Sequence, residues 1–115
     1  MRVIIAGGRD FSDYERLSER VLHLLSAQDQ VTIVCGEARG VDSLGKRLAY
    51  EKGWEVLSFP ADWDKYGKAA GYKRNDEMAR NADALIAFWD GKSRGTKHMI
   101  DLAKKYDLQT RIVGY

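Results

Sequence analysis

Residues 31–42 read VTIVCGEARGVD, and this stretch decides the fold of the chain. It opens with an apolar run, which is typical of a parallel strand covered on both faces. A glycine-bearing turn follows, and Val41, Leu44 and Leu48 then recur at helical spacing until Gly53, where we predict the helix to end. Strand, turn and helix in this order predict one βα unit of a parallel sheet.

The same order repeats on both sides of this stretch. The five predicted strands are residues 3–6, 31–35, 54–59, 84–88 and 109–113. Because parallel neighbours are joined by right-handed helical crossovers, the alternation predicts an α/β fold. We expect an open, Rossmann-like, three-layer arrangement around a five-stranded parallel sheet.

Helical patterns occupy the connections between these strands. Ser12 and Glu15 form a capping-box pattern, which predicts the start of the first helix. A short third helix is predicted over residues 73–81. Residues 60–72 are left as a long loop of aromatic and charged residues, and loops of this length are often functional. The last helix carries Met99, Leu102, Ala103 and Tyr106.

Composition restricts the class of protein. With 115 residues, 44% of them hydrophobic, the chain is expected to form one domain over residues 1–115. No apolar run approaches the roughly 18 residues that a membrane span needs. The single cysteine, Cys35, excludes an internal disulfide and fits a reducing cytoplasm. A net charge of +2 does not by itself indicate a nucleic-acid partner, and we expect none.

Three strand-to-helix turns are rich in glycine and each holds one arginine. They begin at Gly7, Gly36 and Gly91, and in a parallel sheet all such turns lie at the carboxyl edge. Glycine lets the backbone approach a ligand, the following helix offers free N–H groups, and arginine binds phosphate in a bidentate fork. One such turn is ordinary loop geometry, but three at one edge predict a site for a phosphate-bearing, nucleotide-type ligand. The predicted contacts are Gly7, Gly8, Arg9, Gly36, Glu37, Ala38, Arg39, Gly40, Asp42, Arg74, Asn75, Lys92, Ser93, Arg94, Gly95 and Thr96.

Several familiar chemistries lack their motifs. The first turn has no G-x-G-x-x-G pattern and the chain has no P-loop, which argues against dinucleotide dehydrogenases and P-loop NTPases. Neither His23 nor His98 has a partner at metal-ligand spacing, so we expect no metal and no cofactor. His98, placed in the first turn of the last helix, remains a possible ligand contact. Cys35 is expected to be a core residue.

Taken together, four segments resemble the YspA-like branch of the SLOG superfamily. They are the turn at Gly7, the turn from Gly36 to Asp42, the Arg74-Asn75 pair with Met78, and the turn from Gly91 to Thr96. The superfamily includes lysine-decarboxylase-like phosphoribohydrolases, the DprA/Smf DNA-processing proteins, and sensor domains that bind cyclic ADP-ribose-type signals. The resemblance implies strand order 3-2-1-4-5 and a nucleotide pocket at the carboxyl edge.

One departure from the phosphoribohydrolases concerns catalysis. Their P-G-G-x-G-T-x-x-E motif supplies a catalytic glutamate, whereas this chain keeps Gly95 and Thr96 but has Met99 at the glutamate position. A thioether cannot polarise water, so this catalytic apparatus is not transferred. Glu37 remains open to three roles: satisfying backbone donors, binding ribose hydroxyls, or acting as a general base.

Three classes of function follow from these features, and the third, single-strand DNA binding as in DprA, is disfavoured by the near-neutral charge, because tracking phosphates needs a continuous basic groove. The leading hypothesis is a binding module for a nucleotide or ADP-ribose-like molecule that acts as sensor, carrier or sequestering protein. The alternative is a hydrolase or transferase at the N-glycosidic bond of a nucleotide. Arg74 is expected to contact phosphate, and Trp89 either stacks on a base or packs in the core. We also expect a homo-oligomer, since a domain of this size offers only a shallow pocket.

Overall fold

The computed structural model describes all 115 residues as alternating strands and helices. The strands are β1 (Arg2–Gly7), β2 (Thr32–Cys35), β3 (Glu55–Ser58), β4 (Ala84–Trp89) and β5 (Gln109–Gly114). The helices are α1 (Tyr14–Leu24), α2 (Val41–Lys52), α3 (Trp63–Tyr66), α4 (Ala70–Arg80) and α5 (Arg94–Lys105), with a 3₁₀ turn at Gly67–Ala69. All of these helices are too short or too polar to traverse a lipid bilayer.

The five strands form one parallel sheet in the order β3-β2-β1-β4-β5, which confirms the predicted topology. β1 lies in the centre, where its Gly7 pairs with Phe88 at the carboxyl end of β4. Alternate residues of β1 point to opposite faces of the sheet, as the pleat requires. Val3 and Ile5 join a core with α1 and α2, whereas Ile4 and Ala6 join a second core with α4 and α5. The result is the expected three-layer α/β fold.

The first helix starts at a different residue from the one predicted. Asp13, not Ser12, is the N-cap, and its carboxylate accepts a hydrogen bond from the backbone N–H of Arg16 at 3.1 Å. The predicted Ser12–Glu15 capping box is therefore wrong. An aspartate directly after the serine offers the same kind of acceptor one residue later, and an ionised acceptor makes the stronger bond.

The segment predicted as a long loop is largely helical. Asp62 caps α3 by accepting from the N–H of Lys65 at 3.1 Å, and Gly67 ends it with a left-handed φ of 54°. α4 then begins at Ala70, three residues before the predicted start, because the buried Ala70 packs inward. This correction matters for function, because α3 carries aromatic side chains next to the carboxyl edge.

The longer helices α2 and α5 also end in left-handed residues, one of which is not glycine. α2 ends at Gly53 with φ 69°, as predicted. α5 ends with Asp107 at φ 61°, where the N–H of Leu108 donates to the carbonyl of Ala103 at 2.8 Å. The bonding pattern is that of a Schellman motif in both cases, and glycine is the residue this position favours.

We therefore predict that Asp107→Gly increases the free energy of unfolding by about 0.5–1 kcal/mol. The substitution removes the Cβ from a left-handed position and a negative charge from a helix C-terminus. Urea denaturation measures the change. Gly53→Ala is the matched control and should lose about 1 kcal/mol, because it adds a Cβ at the equivalent position. Equal stability of the Asp107 variant and the parent would contradict the prediction.

Candidate functional site

The carboxyl edge of the sheet holds a cleft of about 380 Å³. Segments that are far apart in the sequence meet there: the first turn, the start of α2, the middle of α4 and the start of α5. The lining residues are Ala6, Gly7, Gly8, Arg9, Asp10, Ala38, Asp42, Arg74, Asn75, Met78, Ser93, Gly95, Thr96 and Met99. We call this space the main cleft.

Backbone contact between the first and second turns forms one wall of the main cleft. The N–H of Val41 donates to the carbonyl of Gly8 at 3.2 Å. Gly40 has a left-handed φ of 71°, and a Cβ there would lie 2.6 Å from the Cα of Arg9. Only glycine allows this approach, so the two turns form one rigid unit.

A residue from the C-terminal strand region supports the first turn. The hydroxyl of Tyr115 donates to Asp10 at 3.0 Å, and a Cβ on Gly8 would collide with that hydroxyl. The ring of Tyr115 also packs edge-on against Phe11, with centroids 4.8 Å apart. Burial and the bond to Asp10 raise the pKa of Tyr115 to about 12, so it stays a donor. Sequence reasoning missed this residue, because only the fold brings it to the first turn.

Asp42 is the buried carboxylate of the main cleft. It lies in the first turn of α2, is 8% exposed, and accepts from the N–H of Ala38 at 3.3 Å through Oδ2. Burial raises the pKa of Asp42, and the nearby positive charge of Arg74 opposes that shift. Asp42 also lines the main cleft.

Arg74 is partly committed to the protein itself. Its guanidinium donates to the carbonyl of Gly36 through one terminal nitrogen, and to Asn75 Oδ1 at 3.0 Å through Nε. A Cβ on Gly36 would lie 2.8 Å from the guanidinium and 2.9 Å from Asp42. Gly36 is thus needed so that Arg74 and Asp42 can approach one another beside the second turn.

The third turn contributes only part of its predicted residues to the main cleft. Ser93 caps α5, accepting from the N–H of Thr96 at 3.4 Å, and the turn is held by Asp90, which accepts from the N–H groups of Lys92 and Ser93 at 2.8 and 2.9 Å. These two bonds lower the pKa of Asp90. Ser93, Gly95 and Thr96 line the cleft, whereas Gly91, Lys92 and Arg94 lie outside it.

A second cleft of about 280 Å³ adjoins the first. It shares Arg9, Ala38 and Arg74 with the main cleft, so the two spaces are neighbours along one edge. Its other lining residues are Gly36, Glu37, Arg39, Pro60, Ala61 and Trp63. We call this space the side cleft. It holds Arg39 and Glu37, which the main cleft lacks.

Glu37 lies at the rim of the side cleft in an ion pair. Its carboxylate accepts from Ser58 Oγ at 2.6 Å and from Lys46 Nζ at 2.9 Å. These two bonds lower the pKa of Glu37, which is therefore an anion. Its donors are side chains, not the free backbone N–H groups considered from the sequence. The residue adopts a left-handed φ of 60°, which is uncommon for a side chain of this size.

The next three candidate residues, Met99, Trp89 and Cys35, pack within the protein interior. Met99 is 1% exposed and packs in the second core while lining the main cleft, so the position expected for a catalytic glutamate is apolar. Trp89 donates its indole N–H to the carbonyl of Ser93 at 3.1 Å and packs against the same core. Cys35 is buried, which raises its pKa to about 11 and keeps the thiol protonated.

His98 lies in the second turn of α5, one turn later than expected, because the helix already begins at Arg94. Its Nδ1 is 3.2 Å from the amide nitrogen of Asn75, and its ring packs edge-on against Tyr72 at 4.6 Å. Partial burial lowers the pKa of His98. It lines neither cleft.

The buried Asp42 predicts a pH dependence of stability. A raised carboxyl pKa means that the folded state favours the protonated form. The stabilisation of the folded state by protonation of Asp42 is complete below the pKa of about 3.9 that an aspartate has in the unfolded chain. It is lost as the pH rises through the higher pKa of Asp42 in the folded state. Asp42→Asn keeps an oxygen acceptor for Ala38 but does not titrate. We predict that the melting temperature of the parent, relative to this variant, falls between about pH 4 and pH 7. A constant difference over that range would show that burial does not perturb Asp42.

Comparison with known proteins supports the architecture. DNA processing protein A (DprA) from Streptococcus pneumoniae superposes with a TM-score of 0.76 and 18% identity, covering 96% of this chain and 49% of that protein. DprA from Helicobacter pylori, described for its single-stranded DNA binding, gives a TM-score of 0.69 and 20% identity, covering 97% and 64%. The chain thus spans about half to two thirds of these proteins. At these identities the likeness shows the fold.

Sequence similarity shows more than a shared fold. The Gene 61 protein of Mycobacterium phage D29 is 36% identical over 111 residues, covering 90% of this chain and 89% of the phage protein. A family model described as "YspA, cpYpsA-related SLOG family" matches residues 1–66, which include the first and second turns. The chain therefore belongs to the YspA, cpYpsA-related SLOG family.

Proposed function

We propose that residues 1–115 form one binding unit for a nucleotide or ADP-ribose-like, phosphate-bearing molecule, acting as sensor, carrier or sequestering protein. The observation that carries this proposal is the meeting of two glycine-bearing turns and the α5 start around one cleft. Arg9 lines both clefts and makes no salt bridge or side-chain hydrogen bond within the protein. An unpaired guanidinium beside exposed backbone donors favours a phosphate.

The charges of the main cleft suggest which residues contact the phosphates of such a ligand and which contact its sugar. Arg9 and the backbone of Gly95, in the first turn of α5, suit the phosphates. Asp10 and Asp42 are acidic and would repel phosphate, but carboxylates are good acceptors for ribose hydroxyls. A sugar phosphate with both groups therefore matches the cleft better than a simple anion does.

The enzymatic alternative, hydrolysis or transfer at an N-glycosidic bond, depends on Glu37. The ion pair with Lys46 keeps this carboxylate ionised, as a general base requires, but the lowered pKa makes it a weak one. The apolar Met99 offers no substitute at the other wall. These two features favour binding over turnover.

Single-strand DNA binding is a second candidate with one observation in its favour. Trp63, Tyr66 and Tyr72 are each 40–53% exposed around α3 and α4, and lysine ammonium groups (Lys65 and Lys73) lie over the Tyr66 ring. Aromatic and basic groups together can stack single-stranded bases. The H. pylori DprA binds single-stranded DNA. The small net charge of +2 argues against a long groove that would follow the DNA backbone here.

Self-association of this chain stays a prediction from the sequence.

Removing the unpaired arginine tests the phosphate assignment. We predict that Arg9→Ala weakens binding of ADP by about 1.5–3 kcal/mol, the range for hydrogen bonds to charged groups. Arg111→Ala is the control, because Arg111 is exposed on the edge strand β5. Isothermal titration calorimetry measures both. If Arg9→Ala binds like the parent while Arg94→Ala weakens binding, the phosphates lie outside the main cleft, next to Arg94, instead of beside Arg9.

Glu37→Gln separates binding from catalysis. The substitution keeps the size and an oxygen acceptor but removes the base. Chromatography measures the release of free base from AMP, ADP and ADP-ribose. We expect neither the parent nor the variant to release any. Both proteins should bind with similar affinity. Base release by the parent that falls at least tenfold in the variant would establish the enzymatic alternative.

A further inference from the structure

The side cleft contains a large aromatic ring beside unpaired positive charge. Trp63 lines it together with Arg9 and Arg39, and 53% of its surface is exposed. Buried aromatic rings contribute most to recognition, so a half-exposed tryptophan in a concave site is a candidate platform for a planar group. The residue lies in the segment that the sequence predicts to be a long loop.

Trp63 lies between the start of α3 and the neighbouring helix α4. It is the first residue of α3, which Asp62 caps, so its backbone is held in helical geometry. At its far edge, a Cβ built on Gly71 of α4 would lie 3.5 Å from Cη2. The far edge of the ring therefore lies beside α4 at Gly71, which has no side chain, and about half of the Trp63 surface is exposed.

The charge of the side cleft selects an anionic partner. Glu37 is the only acidic residue that lines it, and Lys46 already neutralises Glu37. Arg9 and Arg39 form no salt bridge within 4.0 Å. The residues that line the side cleft thus carry a net positive charge, which suits a planar group attached to phosphates.

We infer that the side cleft is the nucleobase subsite of the ligand whose phosphates occupy the main cleft. This inference rests on the proposed function. The base stacks on Trp63, and the sugar crosses the boundary formed by Arg9, Ala38 and Arg74, which line both spaces. The main cleft measures about 380 Å³ and the side cleft about 280 Å³. A single ligand that spans both would contact all three turns at the carboxyl edge of the sheet.

The test compares ligands that differ only in the base and sugar. Calorimetry is done with pyrophosphate and with ADP, GDP, CDP and UDP. We expect at least one nucleoside diphosphate to bind more tightly than pyrophosphate. Trp63→Ala should weaken binding of that nucleotide roughly 5- to 150-fold, the range for loss of base stacking, and leave binding of pyrophosphate unchanged. Trp63→Phe should recover most of the affinity.

Two controls report on the ring itself. Tyr50→Ala removes an aromatic residue that is 68% exposed on α2, outside both clefts, and should change neither affinity. Nucleotide binding should also quench tryptophan fluorescence in the parent. In Trp63→Phe this quenching should be lost, although Trp54 and Trp89 remain.

Three results would overturn the inference, and they are distinguishable. If pyrophosphate binds as tightly as every nucleotide, the main cleft takes phosphate but the base subsite is wrong. If neither kind of probe binds, the proposed function and the subsite fail together. If a 12-mer of thymidylate binds more tightly than every mononucleotide and both Trp63→Ala and Tyr66→Ala weaken it, the ring serves single-stranded DNA instead.

Discussion

The site depends on one backbone contact, the packing of Gly40 against Gly8 and Arg9. The N–H of Val41 donates to the carbonyl of Gly8, so α2 begins against the end of β1 with no side chain between them. This contact places Arg9 between the two clefts. A side chain at residue 40 would separate the turns, because its Cβ would lie within 2.7 Å of the backbone of Arg9. The geometry that suits a phosphate group is therefore built from main chain, which is rigid before any ligand arrives.

The second constraint is the buried charge beside that contact. Asp42 and Arg74 lie close together next to Gly36. Each also has a backbone partner, because Asp42 accepts from the N–H of Ala38 and Arg74 donates to the carbonyl of Gly36. Burial of the Asp42 charge is costly, and the positive charge of Arg74 offsets only part of that cost, since the pKa of Asp42 stays raised. Arg74 thereby ties α4 to the second turn across the main cleft. Its first role is to hold the walls together, and a phosphate contact would be made with the donors that remain.

Much of the fold follows from local sequence. Apolar runs predict both ends of all five strands within one residue, and the turns at Gly7 and Gly36 are found at the expected edge. The errors have physical causes. Ser12 and Asp13 compete for one cap position, and the α3 segment is helical because Asp62 and Gly67 begin and end it locally. What the sequence could not show is long-range: Tyr115 beneath Gly8, the burial of Asp42, and Trp63 beside Arg9.

Backbone recognition at the carboxyl edge is most directly tested by amide chemical shifts. In a ¹⁵N-labelled sample titrated with ADP, we predict saturable shifts at Gly8, Gly40 and Thr96, whose N–H groups belong to the three segments around the main cleft. Gly53, at the opposite edge of the sheet, should not move. Shifts confined to the amino edge, or to the residues around Gly91 outside the cleft, would contradict a phosphate site built from the first and second turns.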